Sequence, residues 1–267
     1  MKQTITSITA QKRPGRFNIF LDGKYAFSVA ENVLVRMRLY KGRELTGEDL
    51  EEIFREDDLE KAVGLALDYL SYSLRTEREV RSRLAREEME DDVIDAVISR
   101  LAGMNLINDR EYAGSYVRTM AKTSDKGPRI IADKLREKGV SRCDIEDALT
   151  EYTDEMQLDN ALKLAEKTAT RNRRLSFRQL EGKITQTLIG KGFSQDTASR
   201  VREELDLTED ESEEHDKLLL QARKLWRKNS RLDSRTRRNK VKAALFRKGF
   251  DISACDMILD ELENQGV

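Results

Sequence analysis

The stretch Ile184-Thr185-Gln186-Thr187-Leu188-Ile189-Gly190-Lys191-Gly192-Phe193 decides the fold of this protein, because its pattern returns along the chain. Ile184 and Leu188 are four residues apart, which places two apolar side chains on one face of a helix. Gly192 follows Leu188 by four residues and predicts the left-handed residue that ends a helix without a steric penalty from Cβ. The stretch therefore predicts an amphipathic helix that stops at a Lys-Gly-apolar triplet.

The same frame occurs in three other places. The triplet returns at Lys138-Gly139-Val140 and at Lys248-Gly249-Phe250, each preceded by its own apolar pair. Val80 and Leu84 fit the frame once more, but Glu88 stands where the glycine should be. We therefore expect a different turn in that first copy. The apolar pairs of the other copies are Ile131 with Leu135 and Val241 with Leu245.

Each copy also predicts a helix after its turn and a helix before its apolar pair. In the copy around Gly192, the residues Ala198, Val201 and Leu205 lie on one stripe of the following helix. Equivalent apolar residues occur at the same offsets in the other copies. The predicted first helices are Leu65–Leu74, Tyr112–Lys122, Ala161–Ala169 and Leu218–Trp226.

These patterns predict a mostly α-helical protein of four tandem three-helix repeats behind a small N-terminal head with a β-hairpin. One unit of this size does not bury a full core alone, so we expect neighbouring units to stack into an elongated, curved array. The predicted divisions are 1–58 for the head, 59–109 for repeat 1, 110–153 for repeat 2, 154–207 for repeat 3, and 208–267 for an acidic linker with repeat 4.

The head is predicted from alternating residues on both sides of a turn. Phe17-Asn18-Ile19-Phe20-Leu21 and Tyr25-Ala26-Phe27-Ser28-Val29 alternate and flank Asp22-Gly23. This arrangement is typical of a hairpin with a tight primed turn. Ile5–Thr9 can supply a third strand, and Glu31–Arg38 predicts a short helix.

Helix starts are marked by capping residues. Thr46 with Asp49 resembles a capping box that opens an acidic helix running to about Arg55. Related signals open the second helices of three repeats. These signals are Thr76 with Glu79, Gly127-Pro128, and Ser176 with Gln179.

The composition limits the class of protein. The 267 residues include 49 Lys and Arg, 50 Asp and Glu, one His and two Cys, with a mean hydropathy of −0.68. The chain has no apolar run of about 20 residues for a membrane span, and its first residues lack the apolar region of a signal peptide. We therefore expect a cytoplasmic protein without a disulfide framework, zinc site, metal or cofactor.

No pattern in the sequence indicates catalysis. Cys255 is expected in the core, and Cys143 has no His or Cys neighbour. His215 lies among acids at a helix start and is expected to be solvated or to cap the helix. Trp226 is assigned to the core, with stacking on a nucleic-acid base as the alternative. The chain also lacks a phosphate-binding Gly-x-x-x-x-Gly-Lys-Ser/Thr loop, so we expect a protein that is not an enzyme.

The near-neutral net charge of −1 hides strong local charge. Glu44 to Glu60 holds nine acids and one base, and Glu203 to Asp216 holds nine acids and no Lys or Arg. Arg223 to Lys248 holds twelve bases and one acid, and Asn160 to Arg200 holds nine bases and three acids. A polyanion or an acidic partner responds to the local field. The second acidic stretch predicts a flexible joint, with a helix end and a solvated loop as the alternative.

Many of the basic residues lie near the loop between the first and second helices of repeats 2, 3 and 4. Stacked repeats present equivalent loops along one edge, so we expect a row of positive charge there. Such a row suits a phosphate backbone or an acidic protein groove and gives little base specificity. The candidate residues for binding a partner or DNA are Lys126, Arg129, Arg173, Arg174, Arg227, Lys228, Arg231, Arg235, Arg237 and Arg238.

Several motifs between residues 65 and 150 resemble the RecX family, the regulators of the RecA recombinase. The most specific is Leu106-Ile107-Asn108-Asp109-Arg110-Glu111-Tyr112-Ala113, preceded by Leu101. Repeats 3 and 4 resemble the family more loosely, through Lys-Gly-Phe and their periodicity. The other motifs are Ala66-Leu67-Asp68-Tyr69-Leu70-Ser71, Thr76-Glu77-Arg78-Glu79-Val80, and Gly127-Pro128 followed by Ile131, Leu135 and Lys138-Gly139-Val140.

The resemblance implies a non-enzymatic, monomeric protein that binds RecA and lies along the groove of the RecA–DNA filament. It would modulate strand exchange, ATP hydrolysis and coprotease activity in recombination, repair and the SOS response, with inhibition as the expected direction. A stand-alone DNA-binding protein that uses the basic repeats, and a scaffold for another protein, are the alternatives. Both alternatives predict binding that does not depend on RecA.

Overall fold

The computed structural model describes residues 2–12, 14–205 and 211–264. Its residues form two compact units. Unit 1 comprises residues 1–113 and 135–145, and unit 2 comprises residues 114–134 and 146–267. The second of the four helical repeats contributes residues to both units.

The described residues form four strands and thirteen helices. The strands, all in the head, are β1 (Gln3–Ala10), β2 (Arg16–Leu21), β3 (Lys24–Ala30) and β4 (Glu44–Leu45). The helices of the head and repeat 1 are α1 (Glu31–Arg36), α2 (Gly47–Tyr72), α3 (Glu77–Arg86) and α4 (Asp91–Gly103). Repeats 2 and 3 contain α5 (Asp109–Thr123), α6 (Pro128–Glu137), α7 (Arg142–Leu149), α8 (Asp154–Arg171), α9 (Phe177–Gly190) and α10 (Gln195–Glu204), and repeat 4 contains α11 (Glu211–Lys228), α12 (Ser234–Arg247) and α13 (Ile252–Asn264).

The head is a small antiparallel sheet with the strand order β3-β2-β1-β4. Asp22 and Gly23 connect β2 to β3 with φ values of 47° and 83°. Two positive φ values in a two-residue loop give the primed turn that the sequence predicts. The predicted third strand is present as β1, whereas the two-residue strand β4 is too short to leave a periodic signal. The inward residues, including Ile5, Ile19 and Val29, form a core with Ile53 of α2.

Helix α2 corrects one prediction about the head. The helix that begins after Thr46 was expected to stop near Arg55, with a separate first helix of repeat 1 at Leu65–Leu74. The two are instead one continuous helix of 26 residues. The capping box of Thr46 and Asp49 opens this helix as predicted. The predicted boundary at residue 58 therefore falls inside α2.

The acidic residues of α2 neutralise arginines of the head. The buried Asp57 accepts a hydrogen bond from the Ala30 N–H at 2.8 Å and pairs with Arg16 at 2.9 Å. Arg36 pairs with Glu56 and Glu60, the latter at 2.9 Å. Burial alone would raise the pKa of Asp57, but its hydrogen bonds outweigh burial and hold the pKa below its usual value. The acidic residues of α2 thus hold this helix against the head.

The frame of four repeats is confirmed. The apolar pairs are buried in every copy, and Val80, Leu84, Ile184, Leu188, Val241 and Leu245 have no exposed surface. Glu88 corrects a second prediction, because its φ of 58° is left-handed like that of the glycines in the other copies. Met89 N donates to Leu84 O, as Phe193 N does to Leu188 O. The first turn therefore has the same hydrogen bond in spite of the different residue.

The second helices begin at the predicted capping residues, with one difference. Thr76 and Glu79 form a full capping box at the start of α3. Ser176 accepts the hydrogen bond of Gln179 N, but the Gln179 side chain donates instead to Arg247 O. Pro128 is the first residue of α6. The capping box predicted at Ser176 is therefore only half formed, because its glutamine bridges to the next repeat.

Each junction between consecutive repeats uses the same backbone carbonyl. The residue just before the second helix of one repeat donates a hydrogen bond to the carbonyl of the triplet lysine in the next repeat. The donor is a hydroxyl where the capping residue is Thr or Ser, and the backbone N–H where it is Gly. The three bonds run from Thr76 Oγ1 to Lys138 O at 2.7 Å, from Gly127 N to Lys191 O at 2.8 Å, and from Ser176 Oγ to Lys248 O.

The triplet glycines are required by this contact as well as by their dihedral angles. A Cβ on Gly139 would lie 2.7 Å from Arg78 Cβ, and a Cβ on Gly192 would lie 2.7 Å from Ile130 N. Among the described residues the head, and not another three-helix repeat, comes before repeat 1, and Glu88 is exposed. The close approach that demands glycine elsewhere is absent at that turn, which explains why glutamate is tolerated there.

The first free N–H of the second helix is also satisfied across the junction. Glu77 N donates to Asp109 Oδ1 at 2.8 Å, and Phe177 N donates to both carboxylate oxygens of Glu214 at 3.1 Å. At the middle junction the same place is taken by Pro128, which has no N–H to satisfy. Helix starts and repeat stacking therefore depend on the same residues.

Candidate binding surface

The loops between the first and second helices of repeats 3 and 4 share a set of hydrogen bonds. Asn172 and Asn229 each end the first helix, and each side-chain amide donates to a carbonyl four residues earlier, at 2.7 and 2.8 Å. The N–H groups of Leu175 and Leu232 then close the turn on those asparagines. The two loops therefore place side chains at equivalent positions.

Three positions of this shared loop are basic in both repeats. Arg174 and Arg231 lie within the turn, one residue before the leucine that the two loops share. The flanking positions add a cation at the end of the first helix and another at the start of the second. All six side chains are exposed, and none has a carboxylate partner within the described parts of the chain. We call these residues the paired loop cations: Arg171, Arg174 and Arg178 in repeat 3, and Lys228, Arg231 and Arg235 in repeat 4.

Sequence reasoning missed Arg171 and Arg178, although the sequence contains a signal for Arg178. The second residue of the second helix is an exposed arginine in every repeat, as the alignment on the capping residues shows. In repeats 1 and 3 the arginine stem lies against the triplet glycine of the next repeat, as the short distances to Gly139 and Gly249 show. These arginines are Arg78, Arg129, Arg178 and Arg235.

Two of the ten candidate residues are engaged within repeat 4. The guanidinium of Arg237 lies 4.1 Å from the centre of the Trp226 ring and donates to Trp226 O from Nε and Nη2, at 3.0 and 2.8 Å. Arg238 pairs with Asp260 at 2.6 Å and with Glu263 at 3.0 Å. These contacts join α12 to α11 and α13. Their loss would weaken repeat 4 itself, so these arginines are poor probes of partner binding.

The other candidates remain accessible to different degrees. Arg173 and Arg227 are exposed, but the equivalent positions in the other repeat are Ser230 and Thr170, so they do not form a pair. Arg129 is exposed as one of the four helix-start arginines. Lys126 is partly buried, and its carbonyl accepts a hydrogen bond from Tyr152 at 3.4 Å. The paired loop cations therefore form the best-defined part of the surface.

The chemically distinctive side chains occupy the predicted environments. Trp226 is 2% exposed and lies in the core of repeat 4. Cys255 is in the same core, and burial raises the pKa of its thiol to about 11, which keeps it protonated and unreactive at neutral pH. Cys143 is exposed, and His215 is exposed on α11. The predicted joint at Glu203–Asp216 lies partly outside the described residues, since 206–210 are not included.

The described residues contain neither a cluster of metal ligands nor a helix that could span a membrane. No group of three or more His, Cys, Asp or Glu side chains there is arranged to hold a metal ion. No helix in the same residues combines the length and the apolar character that crossing a membrane requires.

Comparison with protein-family models accounts for most of the chain. The model of the RecX N-terminal domain matches residues 3–46, and those of the first and second RecX three-helix domains match 62–101 and 108–149. The model of the third three-helix domain matches twice, at 154–201 and 212–259. Repeat 4 is thus a second copy of the type of domain found in repeat 3.

Relatives and solved structures agree with these matches. The chain is 46% identical to the regulatory protein RecX of Levilactobacillus brevis over 258 residues, 97% of each chain. It is 42% identical to that of Limosilactobacillus reuteri, covering 98% of this chain and 99% of the relative. A crystal structure of regulatory protein RecX, 45% identical, superposes with a TM-score of 0.70 and covers 75% of this chain and 99% of that one. With four RecX domain types in order along its length and relatives of this identity, the chain belongs to the RecX family of regulatory proteins.

Proposed function

We propose that this protein regulates the RecA recombinase by binding the RecA–DNA filament, and that it inhibits strand exchange, ATP hydrolysis and coprotease activity without catalysing a reaction. Membership of a family of regulatory proteins supports a role in regulation. The observation that carries the binding proposal is the paired loop cations, exposed and without acid partners at equivalent positions of repeats 3 and 4.

A repeated cationic surface suits a filament for a physical reason. A filament presents the same protein and phosphate groups again and again along its length. Contacts that are individually weak then add up, because each bound repeat raises the effective concentration of the next. Arginine heads that are free of intramolecular acids lose no ion pair when they bind an anionic surface.

The proposal is tested by following ATP hydrolysis by RecA on single-stranded DNA while this protein is added. We expect hydrolysis to fall as the protein approaches the RecA concentration. The double variant Arg174→Ala with Arg231→Ala should require at least about tenfold more protein, since each lost charge-assisted contact weakens binding by about that factor.

The matched control removes two exposed arginines outside the loops. Arg55 lies on α2 and Arg202 on α10, and neither has an acid partner among the described residues. Arg55→Ala with Arg202→Ala changes the net charge equally and should inhibit like the parent protein. An unchanged rate of ATP hydrolysis at stoichiometric amounts of the parent protein would refute the proposal.

Direct DNA binding without RecA is a second candidate, and the same unpaired cations favour it. Binding to bare single-stranded and duplex DNA should be measured across salt concentrations. If phosphate contacts dominate, affinity falls steeply with salt, and Arg231→Ala with Arg235→Ala lowers the slope by about one per lost contact. Weak DNA binding beside strong inhibition of RecA would favour the first candidate.

A further inference from the structure

A groove of about 680 Å³ lies in unit 1 between α2 and α3, whereas the paired loop cations belong to unit 2. The second half of α2 forms one wall, α3 forms the other, and the turn at Lys138 closes one end. The two walls differ in chemistry, which limits what the groove can bind.

The α2 wall carries apolar and aromatic side chains together with one acid, Asp68. Leu65, Tyr69 and Tyr72 line it at intervals of three and four residues, so they share one face of the helix. Tyr72 is 84% exposed. The guanidinium of Arg75 lies 4.4 Å from the centre of the Tyr69 ring and holds that ring in place. An aromatic surface this exposed beside a groove indicates contact with an apolar group of a partner.

The α3 wall is basic, and two of its arginines have heads available to a ligand. Arg83 already pairs with Glu87 at 2.7 Å, and Lys138 pairs with Glu79 at 2.6 Å. Arg86 has no partner within the described residues, and Arg78 donates only to a backbone carbonyl, Glu137 O, at 3.3 Å. Within the described residues, the groove therefore offers a guanidinium without a carboxylate partner near each end of the wall.

The spacing of these arginines sets a length for the ligand. Arg78 and Arg86 are eight residues apart on α3, which corresponds to about 12 Å along the axis. An extended peptide advances about 3.3 Å per residue, so two carboxylates four residues apart span about 13 Å. Residues i, i+2 and i+4 of an extended peptide share one face, so an apolar side chain midway between the acids enters the groove with them, where it can contact the aromatic side chains of α2.

We propose that this groove binds an extended acidic peptide segment of a partner protein, with two acidic residues four positions apart and an apolar or aromatic residue between them. The two acids pair with Arg78 and Arg86, and the central residue packs on Tyr69 and Tyr72. This inference goes beyond the proposed function, because it concerns another surface and does not depend on RecA as the partner.

The carboxylates of the groove favour a peptide over a nucleic acid. Asp68, Glu79 and Glu137 also line it. A strand of nucleic acid carries a phosphate at every nucleotide, so some phosphates would face these acids. A peptide can place its charges only at the two arginines and leave uncharged residues opposite the acids.

The test uses the full-length protein and a fluorescein-labelled nonapeptide, Gly-Ser-Glu-Ala-Phe-Ala-Glu-Ser-Gly, in a fluorescence anisotropy titration. We expect saturable binding that is weakened at least about tenfold when both glutamates are replaced by glutamine, because charge-assisted hydrogen bonds are lost. Replacing the central phenylalanine by alanine should also weaken it. Arg78→Gln with Arg86→Gln should match the effect of the glutamine peptide.

Two controls make the result specific. Arg86→Gln alone leaves the junction contact of Arg78 intact. We expect this variant to have the parent's melting temperature and still to bind the peptide more weakly. Arg55→Gln with Arg202→Gln lowers the charge equally and should leave binding unchanged. The proposal is overturned by no binding, by equal binding of the glutamine peptide, by equal weakening in the control, or by an oligothymidylate that binds the same groove more tightly than the peptide.

Discussion

At the scale of single residues, glycine is set by two separate constraints at the repeat junctions. Gly192 has a φ of +91°, where side chains other than glycine are strained, and its Cβ position lies 2.7 Å from Ile130 N. Glu88 satisfies only the first constraint, with a φ of 58°. Comparing Glu88 with Gly192 therefore separates two requirements. The turn requires a left-handed φ, and the junction requires the absence of a Cβ.

We expect Gly192→Ala to destabilise the protein by about 1–3 kcal/mol through left-handed strain. The clash of the new Cβ with the backbone adds to this loss. The matched control is Gly190→Ala, two residues earlier, where a Cβ meets nothing within 4 Å. Urea denaturation followed by circular dichroism measures both variants. Equal stability of the two would show that the junction does not constrain this residue.

Glu88→Gly should have the opposite effect on stability. The substitution removes about 1–2 kcal/mol of left-handed strain, and the added freedom of the unfolded chain offsets about 0.5–1 kcal/mol of that gain. We expect a free energy of unfolding that is higher by up to about 1.5 kcal/mol in the same urea experiment. A less stable variant would mean that the Glu88 side chain makes contacts worth more than its strain.

At the scale of elements, α2 shows why one helix was predicted as two. Its first half turns Ile53 and Asp57 toward the head, whereas Ala62, Val63 and Ala66 lie in the core of repeat 1. The buried face therefore changes along the helix, and the apolar residues do not keep one periodic stripe. Periodicity detects helices that bury one face against one core, and α2 serves two cores.

Asp57 is the residue of α2 whose substitution should weaken the packing of the head on α2. Asp57→Asn keeps an acceptor for the Ala30 N–H but leaves Arg16 without its anion, and we expect a cost of about 1–3 kcal/mol. Asp58→Asn is the control, since Asp58 is exposed and pairs only with Lys61, three residues later. Urea denaturation and hydrogen exchange of the head amides measure the difference. Similar stability of the two variants would contradict the docking role of Asp57.

At the scale of the whole molecule, three of the acidic groups that hold elements together have lowered pKa values, whereas burial raises the pKa of a fourth, Asp109. Hydrogen bonds to Lys138 and Thr76 outweigh burial and lower the pKa of Glu79, and Lys191 lowers the pKa of Asp125. Asp57 behaves in the same way within the head. Each of these three groups with a lowered pKa contributes stability that is fully present above its unfolded pKa and is lost as the pH falls through its folded pKa.

The protein should therefore lose stability as the pH falls below the ordinary values of 4.5 for Glu and 3.8 for Asp. The double variant Asp57→Asn with Glu79→Gln should be less stable at pH 7 but lose less on acidification. Melting temperatures between pH 7 and pH 3 measure both effects. Parallel pH profiles for the parent and the variant would assign the acid sensitivity to other groups.

The sequence predicts the availability of some candidate arginines for binding but not of others. Arg174 and Arg231 are predicted as binding candidates because their charge and repeat position are both visible in the sequence, and the structure leaves both side chains exposed. Arg237 and Arg238 looked equally suitable, but they stack on Trp226 and pair with acids of α13. Those partners are brought close only by the packing of α12 on α11 and α13, which no local pattern encodes.

The sequence by itself determined the four repeats, the three turns that contain glycine and the head hairpin, because apolar spacing, glycine and capping residues act over a few neighbouring positions. Tertiary structure alone decided which charges are free. It also decided that the acids of α2 hold the head, and that each triplet lysine offers its carbonyl to the preceding repeat. These outcomes depend on distances between residues far apart in the chain, since a charge is available to a partner only if folding has not already given it one.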